Sequence, residues 1–172
     1  MFSDNNAVKA AAANTLKYIV VDENLNDMFT LLEQSDAEYV PAIQESINAA
    51  LKNLSDEDKT KVVSERINKS NKKHLYYRAL AGIGSADAIE QITEAYNKET
   101  GTNRDAAFTA LASVNAFEAI YPVIDIARST TNKSELEKVT NALISIIRRS
   151  NQTGEIKYLY LREAMQFAQN DT

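Results

Sequence analysis

The sequence predicts an all-α protein built as an array of about five helix pairs, and three observations predict it. A quartet of small or apolar residues at i, i+3, i+4 and i+7 occurs five times. A second helical pattern follows each quartet. The 172 residues include only four glycines and two prolines, too little punctuation for the many turns of a β-sandwich.

The elements follow in chain order. Ala12, Thr15, Leu16 and Ile19 form the first quartet and predict a helix over about residues 7–21. Leu25, Met28 and Leu32 predict the next. Pro41 stands where a helix begins, at little cost because the first helical N–H groups have no partner anyway. The second quartet, Ile47, Ala50, Leu51 and Leu54, follows it. Ser55 then offers a capping oxygen, with Asp56, Glu57 and Asp58 in the first turn where the helix dipole favours acids; Val62, Val63 and Ile67 continue that helix. Tyr76, Ala79, Leu80 and Ile83 form the third quartet, ended by Gly84 as a C-cap, and Ser85 or Asp87 starts a helix carrying Ile89, Ile92 and Tyr96. Asn103 is the expected cap for the fourth quartet, Ala107, Ala110, Leu111 and Val114. Ile120, Val123 and Ala127 follow, with Pro122 predicting a kink or a late start. Ser134 is the expected cap for the fifth quartet, Val139, Ala142, Leu143 and Ile146. A helix over about 155–169, with Ile156, Leu159, Ala164 and Phe167, closes the chain.

The quartet spacing places its four residues on one stripe of a helix. Alanine admits a close neighbour, and leucine with the following aliphatic fills the remaining space. From Leu16 the interval is 35 residues to Leu51, then 29, 31 and 32 to Leu80, Leu111 and Leu143. That length holds two short helices and their loops.

The segment from Leu80 to Ala127, with its Ala-Leu-x-x-aliphatic stripes and Tyr121-Pro122, resembles HEAT repeats. The resemblance covers nearly the whole chain and is clearest from Lys73 to Ile147; the Asp and Arg that usually open the second helix of a pair are matched only loosely, by Arg104-Asp105. It implies a right-handed α-α superhelix in one domain over residues 1–172, with the quartet helices as the second member of each pair. On that phase the chain opens with a second helix and closes with a first, both carrying apolar stripes where a terminal repeat is normally polar. The expectation is a segment of a longer protein, or an end covered by a neighbour.

The composition excludes several chemistries. Cysteine is absent, so no disulfide, thiol nucleophile or thiolate metal site is available. His74 is the sole histidine and sits among lysines, which suits an exposed surface residue and no metal site. Gly82, Gly84, Gly101 and Gly154 form no phosphate loop. Of the carboxylates Asp56, Glu57, Asp58, Glu90, Glu94, Asp125, Glu135 and Glu137, most fall on polar faces or helix starts, without the burial or close like charge that shifts a pKa. No catalytic, metal or cofactor residue is assigned, and no cofactor is implied. The net charge of −5 argues against phosphate-backbone binding, although Lys69, Lys72, Lys73, Arg78, Arg148 and Arg149, near Tyr76 and Tyr77, keep a nucleic-acid protein or a HEAT-like DNA glycosylase as the alternative. No apolar run reaches membrane-spanning length, and Met1–Asn6 lacks the features of a secretion signal. Asn-x-Ser/Thr triplets start at Asn53, Asn68, Asn132, Asn151 and Asn170.

What remains is binding. The resemblance places the second helices on the inner face of the array. Positions two before and two after a quartet start point away from its stripe: His74 and Arg78, Asp105 and Thr109, Glu137 and Asn141. These six are the expected contact residues for a protein or peptide partner, the chain acting as a non-enzymatic scaffold, with a flanking domain of a longer chain as another possible partner.

Overall fold

Local periodicity becomes ten α-helices in the computed structural model, which describes residues 6–169. The opening residues 1–5 and the triplet at Asn170 lie outside them. No strand occurs among the described residues, and none of their helices is long and apolar enough to cross a membrane. The chain divides into two compact units, Met1–Ile83 and Gly84–Thr172.

The first unit contains α1 (Asn6–Leu16), α2 (Leu25–Gln34), α3 (Val40–Ala50), α4 (Asp56–Lys69) and α5 (Tyr77–Ile83). The quartet helix α3 neighbours both α1 and α5, while α2 packs on α3 and α4 on α5. The core holds Phe29, Leu32, Ile43, Ile47, Leu51, Val63, Tyr76 and Leu80, all nearly inaccessible. Pro41 falls in the first turn of α3, and the Ser55 hydroxyl accepts from the Asp58 N–H at 3.1 Å as the cap of α4. Gly82 on α5 faces Asn48 on α3 so closely that a Cβ there would stand 2.4 Å from Asn48 Nδ2.

Two expectations change in this unit. The first helix stops at Leu16, short of the expected 21, because Ile19-Val20-Val21 is a β-branched run that resists helix. Its quartet is not buried: Ala12, Thr15 and Ile19 are exposed, and Ala13 faces the core instead. His74 lies in a 3-10 turn, Lys73–Leu75, before α5, and is half-buried, not fully exposed.

The second unit contains α6 (Ala86–Lys98), α7 (Gly101–Ser113), α8 (Ile120–Ser129), α9 (Lys133–Arg149) and α10 (Gly154–Gln169). Here α6 packs on α7 and α8 on α9; α7 neighbours α9, and α10 lies against α9. Quartets four and five are buried at every member. Gly84, at φ 67°, precedes the α6 cap, Ser85, whose hydroxyl accepts from the Ala88 N–H at 3.2 Å. Pro122 occupies the third position of α8, near its start, a 3-10 turn at Phe117–Ala119 leading in.

Both remaining cap assignments are corrected. Asn103 lies inside α7, donating to Glu99 at 3.2 Å, and Thr100 takes the cap position with Gly101 at φ 54°. Ser134 lies inside α9; Asn132 Oδ1 caps that helix, accepting from the Glu135 N–H at 3.0 Å.

Candidate functional site

Burial of the quartets turns the opposite helix faces to solvent. In the first unit Arg78 is exposed on α5 while His74 is half-buried in its turn. In the second unit Asp105 and Thr109 on α7 and Glu137 and Asn141 on α9 are all exposed, on two helices that neighbour each other. The Thr109 hydroxyl is already spent, donating to the Asp105 carbonyl at 2.9 Å.

Two of the basic residues hold helix ends. Lys72 Nζ donates to the Glu33 carbonyl at 2.6 Å, at the C-terminus of α2. Arg149 donates to the Ala112 carbonyl at 2.6 Å and to the Val114 carbonyl at 3.3 Å, at the C-terminus of α7. Cations suit these carbonyls because the helix dipole ends negative there. Tyr76 and Tyr77 are buried, so neither ring is offered for base stacking.

Each unit also contains a Tyr–Arg–Glu cluster that the sequence reading missed. In the first, the Tyr76 hydroxyl donates to Glu33 Oε1 at 2.5 Å and accepts from Arg66 Nε at 3.1 Å; Arg66 pairs with Glu33 Oε2 at 3.0 Å. Burial alone would raise the Glu33 pKa, but hydrogen bonds from Tyr76 and Ser70 and the Arg66 charge outweigh it and lower it. In the second, the Tyr96 hydroxyl donates to Glu135 Oε1 at 2.7 Å, Arg104 pairs with that oxygen at 2.6 Å and also meets the Tyr96 hydroxyl, and Thr130 donates to Glu135 Oε2 at 2.8 Å. These bonds, led by Tyr96, hold Glu135 down at about 2. Burial first, then the facing carboxylate, pushes Tyr96 up to about 12. Tyr76, mainly through burial, also reaches about 12. Glu135 therefore departs from the solvated-face expectation. Its protonation is fixed far from neutrality, and a general acid or base works best near the ambient pH.

An apolar cleft lies at α1. Four successive alanines, Ala10 to Ala13, leave α1 too thin to fill the space beside α2 and α3. A cleft of about 260 Å³ remains, walled by Ala12, Ala13, Leu16, Leu31 and Ile43, with Lys9, Gln34 and Asp36 at its rim. Tyr39 lines it from below and is buried; its hydroxyl makes no hydrogen bond of normal geometry. The adjacent Glu38 carboxylate, first as a hydrogen-bond acceptor for the phenol, then burial, then the Glu38 and Asp36 charges, push it up to about 12, so it stays a donor. The only sequence signal for this cleft was the alanine run.

Among the described residues no group of three or more His, Asp or Glu is arranged to hold a metal ion. No family model, curated protein or solved structure matches the chain.

Proposed function

We propose that the chain is a HEAT-like right-handed α-α superhelix, one domain over 1–172, acting as a non-enzymatic interaction module for a protein or peptide partner. The observation that carries this reading is the cleft at α1. Its volume of about 260 Å³ lies just below the roughly 300–1,000 Å³ of small-molecule pockets, and suits one or two apolar side chains of a partner. The buried Tyr39 hydroxyl supplies a donor for a partner's backbone carbonyl. Polar contact residues are exposed Arg78 and half-buried His74 in this unit; exposed Asp105, Thr109, Glu137 and Asn141 give the other unit a polar contact face of its own.

Selection of displayed peptides against the chain, followed by binding to Tyr39→Phe, tests the reading. The variant keeps the ring and loses only the donor, so its melting temperature holds or rises while peptide affinity falls several-fold. Peptides unaffected by Tyr39→Phe but lost with Asp105→Lys, Glu137→Lys would move the contact to the polar faces. Failure to select any peptide, together with retention on heparin resin at physiological salt, would transfer the case to nucleic acid.

A further inference from the structure

The two Tyr–Arg–Glu clusters use the same residue types but leave different amounts of hydrogen-bonding capacity unspent. In the first unit Arg66 commits two nitrogens, Nε to the Tyr76 hydroxyl and Nη2 to Glu33, and the tyrosine is fully buried. In the second unit Arg104 makes both of its hydrogen bonds from Nη2, one to the Tyr96 hydroxyl and one to Glu135 Oε1. A guanidinium carries five N–H groups and Nη2 holds two of them, so those on Nε and Nη1 remain. Glu135 is unfinished in the same way. Its Oε1 accepts from Tyr96 and Arg104, while Oε2 accepts from Thr130 and keeps a lone pair for a second donor.

These two side chains line a concavity of about 300 Å³ within the second unit, where the ends of α6 and α8 meet the starts of α7 and α9. Asn97 and Thr131 line it too. Both are exposed, and neither side chain has a hydrogen-bond partner among the described residues. The walls are almost wholly polar, unlike those of the Tyr39 cleft.

Charge and polarity decide what such a place holds. Arg104 and Glu135 pair at 2.6 Å, so the pair is neutral; its carboxylate opposes an anion and its guanidinium opposes a cation. Two helix C-termini and two N-termini meet there, and their partial charges oppose one another as well. An apolar group would take water from the polar walls without replacing its hydrogen bonds. A carbonyl would accept from Arg104 but offer Glu135 nothing. A hydroxyl does both, accepting from one group while donating to another, and the Asn97 carboxamide can also both give and take. We infer that this concavity binds an uncharged polyhydroxylated ligand, the pyranose ring of a sugar, through Arg104, Glu135, Asn97 and Thr131. The volume stands at the lower limit of small-molecule pockets, roughly 300–1,000 Å³, which suits one ring. The Tyr96 ring is buried and offers no face for stacking. Affinity then rests on hydrogen bonds exchanged with water, and binding is weak, in the millimolar range.

This site is independent of the Tyr39 cleft and of the peptide reading built on it. Amide NMR spectra of the full chain test it, with glucose, galactose, mannose and their methyl glycosides each added in turn. Acetate, inorganic phosphate and N-methylacetamide are added separately as anion and amide probes. At least one pyranose is expected to shift signals around Asn97 and Thr131 saturably. The deoxy analogue lacking a bound hydroxyl binds several-fold more weakly, because it leaves polar groups unpaired. Asn97→Ala, Thr131→Val alters two exposed side chains, keeps the parent's melting temperature and weakens binding several-fold. Equal binding of a methyl glycoside identifies the ligand as the end of a longer saccharide, and binding of the free sugar alone identifies a monosaccharide; either upholds the site. Saturable shifts from acetate or phosphate alone would make it an anion site, and from N-methylacetamide alone a site for peptide backbone. Each of those results overturns the inference, as do pyranose shifts confined to other residues, no saturable pyranose shift at all, or full affinity in the double variant.

Discussion

Gly82 and Asn48 show how one missing side chain sets the distance between two helices. An alanine in a helix is worth up to about 1 kcal/mol over glycine, but here its Cβ would meet the Asn48 carboxamide at 2.4–2.9 Å. Gly82→Ala is expected to destabilise the parent by about 1–2 kcal/mol and to be neutral or stabilising beside Asn48→Ala, a coupling that a double-mutant cycle by urea unfolding measures. Glu135 gives a second prediction at this scale. Its folded pKa of about 2 lies below the ordinary value near 4.3, so its ionised form stabilises the fold above that value. The contribution is lost as pH falls from about 5 towards 2. Glu135→Gln should cost about 1–3 kcal/mol at pH 7 and flatten the loss of stability across that acid window, read from melts at successive pH values.

At the scale of the element, the quartet stripes carry the packing. Leu111 is fully buried between Ala107, Ala110 and Val114 of its own stripe and the helices that face it. Leu111→Ala is therefore expected to cost about 2–5 kcal/mol by denaturant titration. The same substitution at Leu16, which α1 leaves half-buried, should cost much less, although the sequence pattern ranks the two positions alike. The Ser55 cap is a further element-scale case: Ser55→Ala removes the acceptor for the Asp58 N–H and should destabilise by about 1 kcal/mol, visible as a lower urea midpoint.

For the whole molecule, contacts run between neighbouring helices within each compact unit, and each unit has five helices with a buried centre of its own. In repeat arrays stability sums over such neighbours. Residues 84–172 expressed alone are expected to be helical and to melt cooperatively below the parent. A non-helical fragment would show that the second unit depends on the first for its fold.

The sequence by itself determined the helices, their order and four of the five buried stripes, because a period of 3.6 is local and needs only neighbours along the chain. The caps at Ser55 and Ser85 were legible for the same reason. Tertiary structure alone decided the rest. Ala12, Thr15 and Ile19 carry the quartet pattern yet lie exposed, because burial requires a second surface and none of the described residues covers α1 on that side. The Tyr–Arg–Glu clusters join residues 43 and 39 apart, with the arginine before the tyrosine in one unit and after it in the other, so no motif announces them. The Tyr39 cleft likewise exists only as space that alanines on one helix fail to fill between two others, and absent volume leaves no periodic mark in a sequence.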